Sequence, residues 1–177
     1  FLDQVHTRAL GFPVVIAEME HLWIREMTLS DLDDLYRIYD EKEIKRFVPP
    51  LLADRKEEEA RMRAYIQYMY GIYQYGMWVL IEKESQKLIG RAGFGIADYR
   101  GESELDLGYL IDASFRGKGY ASEACAAVLK YGREVLGFDR VVAYIHEENH
   151  ASKAVISRLN FRFEGSMTTD EGELAYF

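Results

Sequence analysis

Apolar residues recur along this chain in two alternating periods. HLWIREM (21–27) alternates as a half-buried strand does, and TLSDLDDLYRIYD (28–40) then sets Leu32, Leu35, Tyr36 and Tyr39 at helical spacing. An acidic first turn with Thr28 or Ser30 before it supplies the N-cap. Two prolines in FVPPLLADR (47–55) mark a loop. EEEARMRAYIQYMYGIYQYG (57–76) places Met62, Tyr65, Ile66, Met69 and Tyr73 on one face of a second helix. MWVLIEKESQKLIGRAGFGIAD (77–98) reads as a hairpin turning around Glu84 to Lys87. In ELDLGYLID (104–112), Leu105, Leu107, Tyr109 and Ile111 share one strand face, and Glu104, Asp106 and Gly108 the other. A helix from Gly119 to Leu136 stops at Gly137; RVVAYIHEE (140–148) is a strand and HASKAVISRLN (150–160) a helix. FRFEGSMTTDEGELAYF (161–177) is a closing hairpin that turns near Asp170 to Gly172. Residues 1–20 carry no clear period, which predicts an irregular lead-in over 1–21 before one domain over 22–177. The order β, α, α, β, β, β, α, β, α, β, β predicts a mixed α/β (α+β) fold with antiparallel hairpins and crossover helices.

Composition narrows the function classes. The 177 residues are 49% apolar and include 13 Tyr, enough to bury a core without staples. A single cysteine, Cys125, cannot form an internal disulfide and sits among alanines, where a small buried residue is expected. The formal net charge of -8 argues against nucleic-acid binding and mildly favours a cationic or amine-bearing partner. No apolar run is long enough to span a bilayer, and FLDQVHTRALG lacks the layout of a secretion signal, so a soluble cytoplasmic chain is expected. It starts with Phe rather than Met, which leaves open a trimmed chain or one domain of a longer protein. A monomer or homodimer without metal is the expectation.

The chemistry concentrates in DASFRGKGYASEA (112–124). RGKGYA lies between a strand and a helix, so its consecutive backbone N–H groups have no helical carbonyl to meet. With the helix dipole behind them and Arg116 and Lys118 beside them, they form an anion site suited to phosphates. Gly117, Gly119 and Ala121 keep the approach thin. A P-loop needs Gly-Lys-Ser/Thr, whereas Gly117-Lys118 is followed by Gly119. The dinucleotide fingerprint would use Gly117, Gly119 and Ser122 with Asp139 as ribose partner, a poor fit.

Arg116-x-x-Gly119-x-Ala121 resembles the acetyl-CoA-binding motif R/Q-x-x-G-x-G/A of the GNAT acyltransferase superfamily. NHASKAVISRLNFRFEG (149–165) is similar to its next segment, with Asn149, Ser152, Leu159, Phe161, Glu164 and Gly165 on the pattern N-x-x-S…L-G-F-x-x-E-G. With GYLIDASFRGKGYASEA, the chain looks most like the ribosomal-protein alanine acetyltransferase (Rim-type) branch, from about Leu22 to Phe177. The resemblance implies a mixed, mostly antiparallel sheet with a splayed parallel pair, residues 104–111 and 140–146, and acetyl-CoA as co-substrate. By that likeness the turn from Arg116 through Gly117, Lys118, Gly119 and Tyr120 to Ala121 holds pyrophosphate, an N–H near Leu110 or Ile111 holds the oxyanion, and Asn149 and Ser152 meet the pantetheine and thiol.

A direct attack by an amine also needs a base, for which Asp106, Glu104 and His146 are the candidates. Many relatives carry a Tyr acid at the position of Ile156, so that role passes to Ser152 or goes unfilled. Asn160 stands where Gly is usual, which positive φ tolerates, and the closing loop from Ser166 to Gly172 looks short. Helices 30–40 and 54–74 are expected to border the site of a primary-amine acceptor. That acceptor is a protein N-terminus, an amino acid, a polyamine or an antibiotic. A non-catalytic acyl-CoA sensor, and more weakly a dinucleotide reductase, are the rival readings.

Overall fold

The computed structural model describes residues 2–99, 101–169 and 172–177. Five antiparallel strands form the larger sheet in chain order: β1 (Val15–Glu18), β2 (Leu22–Arg25), β3 (Met77–Glu82), β4 (Leu88–Tyr99) and β5 (Glu102–Ile111). A second sheet has the order β6 (Tyr144–His146), β8 (Gly172–Tyr176), β7 (Gly165–Thr169). The two are joined by one parallel contact, Asp106 with Val142. The turn expected near Asp170 lies at the edge of the described residues, with Asp170 and Glu171 outside them.

The lead-in is not irregular. It holds helix α1 (Leu2–Ala9) and edge strand β1, and Val14 and Ile16 are buried in the main core. Its polar residues tie down at long range, Arg8 to Glu26 at 2.5 Å and Gln4 to the Tyr131 hydroxyl at 3.0 Å. These partners lie far away in sequence, so no local period announces them.

Thr28 opens a capping box with Asp31, from which α2 (Leu32–Tyr39) continues. A short α3 (Lys42–Lys45) follows, and Asp54 caps α4 (Arg55–Tyr65) by accepting the Lys56 and Glu57 N–H groups. The chain then runs through a π-helical stretch, Ile66–Tyr73. Its wider turn shifts the inward position from the expected Tyr73, which is 55% exposed, to Tyr70, which is 1% exposed. The Tyr70 hydroxyl donates to Met77 O at 2.5 Å, and the Tyr65 hydroxyl accepts Met77 N–H at 2.6 Å. Both anchor the start of β3.

Successive residues of β4 project to opposite faces. On one face, a Cβ at Gly132 of α5 (Tyr120–Glu134) would lie 2.6 Å from the Phe94 ring, so helix and sheet touch closely there. On the other face, Arg91 reaches Tyr39 of α2. Trp78, Phe94, Tyr131 and Phe138 pack edge to face beneath α5. Cys125 is buried in that helix, and burial pushes its thiol pKa up, the behaviour of a packing residue.

Candidate active site

In a regular parallel ladder, neighbouring strands exchange evenly spaced bonds. Val142 N–H donates to Leu105 O and Leu107 N–H to Val142 O, both at 2.8 Å. The next bond would join Tyr144 N–H to Leu107 O. The Asp106 carboxylate takes that N–H instead, at 3.1 Å. From there the strands separate: β5 continues beside β4, and β6 turns to pair with β8. Asp106 therefore stands at the apex of the splay expected between 104–111 and 140–146.

Two clefts enter the gap. One, of about 640 Å³, is walled by Asp106, Gly108, Tyr144, His146 and the segment Lys45–Pro50. The other, of about 470 Å³, lies over Arg116, Gly117, Gly119, Ala121 and Ser122. They share Phe47, Val48, Tyr109, Leu110, Asn149 and Ser152, so a molecule in each would meet at these residues.

The smaller cleft fits an extended phosphate ester. Gly117 and Gly119 have φ of 76° and 82°, left-handed values that favour glycine, and nothing stands within 4 Å of where their Cβ atoms would be. Gly119 is the N-cap of α5, and Glu123 N–H is the first to bond back, to Gly119 O at 3.0 Å. The N–H groups of Tyr120, Ala121 and Ser122 thus have no intrahelical acceptor.

The basic side chains are placed differently from expectation. Arg116 lines the cleft, yet its guanidinium donates to Ile111 O at 2.9 Å and pairs with Glu41 at 3.2 Å. Lys118 lines neither cleft, because it lies over the Phe115 and Tyr120 rings with its ammonium 3.9 Å from Glu82. The Tyr120 hydroxyl also donates to Glu82, at 2.9 Å, so Tyr120 offers the cleft its backbone rather than its phenol. In the sequence reading, Arg158 went unnoticed. It belongs to α6 (His150–Arg158), where Ala151, Ala154, Val155 and Arg158 line the cleft at i, i+3, i+4 and i+7, a stripe visible in the sequence.

Asn149 caps α6 by accepting Ser152 N–H at 3.1 Å, and both residues sit at the junction. Ile156 is fully buried. Tyr109 donates from its hydroxyl to Ser152 O at 2.9 Å, bracing α6 against β5. Asn160 holds φ of 61°, the left-handed turn that Asn tolerates.

Strand alternation decides which amides face the gap. Leu107 N–H points to Val142 and Asp112 N–H to Ile89 of β4, so Tyr109 and Ile111 present their N–H groups to the opening. Leu110 was expected to offer an oxyanion N–H. Its N–H points towards β4, where it pairs with Arg91, although the residue lines both clefts. The β4–β5 register runs unbroken from Gly90 with Ile111 to Tyr99 with Glu102, so no bulge redirects it.

Among the candidate bases, Asp106 is mostly buried, and desolvation pushes its pKa up to about 6, partly offset by Tyr144 N–H. Glu104 is held by Arg140 at 3.2 Å and lines neither cleft. His146 lines the larger cleft, packed against Phe47 with ring centroids 5.4 Å apart, and accepts Glu148 N–H through Nδ1 at 3.3 Å. Of the helices expected beside the acceptor, only Tyr39 at the end of α2 lines this cleft; α4 does not reach it, and the segment from Lys45 to Pro50 takes its place.

An uncharacterized N-acetyltransferase of Bacillus licheniformis, p20, is 28% identical over 151 residues, 82% of each chain. Among solved structures, a RimL ribosomal L7/L12 alpha-N-protein acetyltransferase in complex with coenzyme A superposes with a TM-score of 0.76 at 19% identity, over 92% of this chain and 96% of that one. The ribosomal-protein-S5-alanine acetyltransferase from Vibrio fischeri gives 0.76 at 18%, over 90% and 93%. The sequence profile of the acetyltransferase (GNAT) domain matches residues 21–162. The chain therefore belongs to the acetyltransferase (GNAT) domain family and is an acetyl-CoA-dependent acyltransferase.

Proposed function

We propose that residues 22–177, with β1 added at the edge of the same sheet, form one N-acetyltransferase domain that moves the acetyl group of acetyl-CoA to a primary amine by direct attack. The observation that carries this reading is the meeting of two clefts at Tyr109, Leu110, Asn149 and Ser152. One cleft has phosphate-binding chemistry, and the other has a carboxylate with a raised pKa. The RimL structure solved in complex with coenzyme A supports acetyl-CoA as the co-substrate.

Acetyl-CoA supplies the activated thioester. The amides of Tyr120, Ala121 and Ser122 bind its phosphates, with the α5 dipole behind them. Asp106 accepts the ammonium proton through water, which frees the amine lone pair. The N–H group of Tyr109, which lines both clefts, holds the carbonyl oxygen as charge builds on it. As the N–C bond forms and the C–S bond breaks, the Ser152 hydroxyl gives its proton to the departing sulfur and is reprotonated, through water, by the proton that the new amide nitrogen sheds. Geometry favours Asp106 over Glu104 as base, because Glu104 is tied to Arg140 outside both clefts.

Calorimetric titration with acetyl-CoA, against NADPH and ATP, followed by amine-dependent release of CoA, tests this reading. Selective binding and release are expected. Binding without release on any amine would favour the non-catalytic sensor. Ser152→Ala is expected to lower kcat about a hundredfold with little change in acetyl-CoA affinity. An unchanged kcat would remove Ser152 from the mechanism.

A further inference from the structure

The wall of the larger cleft discriminates among amines. Of the residues described along it, Asp106 is the only carboxylate, and most of the others are rings and hydrocarbon, among them Tyr39, Phe47, Val48, Tyr109, Tyr144 and Leu174. An apolar wall with a few polar groups that fix orientation is the usual composition of a small-molecule site.

Much of the remaining polarity is already bonded within the protein. Tyr109 donates its hydroxyl to Ser152 O, and the Tyr39 hydroxyl accepts from Arg91, so both offer the cleft their rings. His146 packs against Phe47, its Nδ1 accepts Glu148 N–H, and a Cβ at Gly172 would stand 3.0 Å from its Nε2. Arg46 pairs with Glu148 and lies over the Phe47 ring, 5.0 Å from the centroid. Lys45 pairs with Asp40. Asp106, whose carboxylate holds Tyr144 N–H, forms no ion pair among the described residues.

This distribution of charge limits what the cleft can receive. One ammonium is matched, at Asp106. A second would leave water for a wall whose other charges, Lys45 and Arg46, repel it, and a cation unpaired among rings is costly. A carboxylate gains little either, because both of those cations already have partners. Hydrocarbon, by contrast, covers Phe47 and Val48, which border both clefts and so flank the meeting point with acetyl-CoA. Pro49 and Pro50, both exposed, carry the apolar surface out to the rim. The acidity of the chain as a whole, net charge -8, is therefore not repeated here.

We propose that the acceptor is a monoamine on an apolar body, with its amine at Asp106 and its body against Phe47, Val48 and His146. Resting on the acetyl-transfer reading, this assignment removes polyamines and polycationic antibiotics from the candidate acceptors. Phe47 is then the residue that sets specificity, since its ring borders both clefts and is fixed by Arg46 on one side and His146 on another. Two sources share the chemistry: a small alkyl or arylalkyl amine, and a peptide N-terminus that opens with a large apolar side chain.

Equilibrium binding to the CoA-loaded protein is compared for two matched pairs. The first is hexylamine and hexamethylenediamine, and the second is a pair of amidated tripeptides that begin with leucine or lysine and continue with two alanines. In at least one pair the apolar member should bind tenfold or more tightly. Preference in the first pair alone assigns a small amine, and in the second alone a peptide N-terminus. In the pair that shows it, the preference should fall to within threefold in Phe47→Ala and survive for the most part in Phe47→Leu. Equal or tighter binding of the dicationic member in both pairs, or no binding by any of the four, would overturn the proposal whether or not the variants fold. So would a preference undiminished in folded Phe47→Ala. Turnover is read separately: selective binding without CoA release would sink the acetyl-transfer reading and leave the apolar amine site standing, and CoA release without apolar preference would do the reverse.

Discussion

Replacing Gly119 with glutamate is expected to weaken acetyl-CoA binding at least a hundredfold while leaving the protein folded. Nothing lies within 4 Å of a Cβ at this position, so the new side chain meets no protein atom near its root. Its cost to the fold is the φ of 82°, a left-handed value worth about 1–2 kcal/mol for a residue with a Cβ. A carboxylate at an N-cap is even favourable for the helix itself. The same charge stands among the N–H groups of Tyr120, Ala121 and Ser122, where it repels a phosphate and competes for its donors. A hundredfold loss corresponds to about 2.7 kcal/mol. Gly119→Ala separates strain from charge, since it should share the stability cost and keep most of the affinity. Calorimetry with urea unfolding reads both. Normal acetyl-CoA binding by Gly119→Glu would mean that the phosphates lie elsewhere.

Asp106→Asn should lower turnover a hundredfold or more and yet stabilise the protein at neutral pH. The asparagine oxygen can still accept Tyr144 N–H at the apex of the splay, so the strands should still part there, but no base remains. The stability effect follows from burial, which raises the carboxyl from 3.8 to about 6. The folded state then holds the proton more tightly than the unfolded chain. That contribution is complete below about 3.8 and is lost as pH rises through about 6. Above that range the buried carboxylate is ionised at a cost on the order of 2–3 kcal/mol. Urea unfolding should therefore find Asp106→Asn more stable than the parent at pH 7.5 and nearly equal to it at pH 4. For the parent, kcat/KM should fall as pH drops through about 6. Full activity in Asp106→Asn would transfer the base role to His146, which lines the same cleft.

Local chemistry made much of this readable in the sequence. The N-cap at Thr28 and the left-handed turn at Asn160 each depend on residues a few positions apart, and each appears where the pattern placed it. What sequence reading missed depends on distant partners. The described part of the lead-in, residues 2–20, is held by Glu26 and Tyr131, which no periodicity within that segment can reveal. The shift from Tyr73 to Tyr70 needs a π-helical turn that a 3.6-residue period does not describe. The strand expected over 140–148 is paired at Val142 and then only over Tyr144–His146, because it changes sheets at Asp106. Lys118 was assigned to phosphate from its place in the turn, but Glu82 draws it away. Arg91 faces Tyr39 and Met77 only once β3, β4 and α2 have come together.

Initial rates measured while acetyl-CoA and amine are varied together probe the meeting of the two clefts most directly. If both molecules occupy the junction at once and the amine attacks the thioester, double-reciprocal lines intersect, and intact mass shows no acetyl group on the protein. Parallel lines, with an acetylated protein that forms before amine is added, would contradict direct transfer.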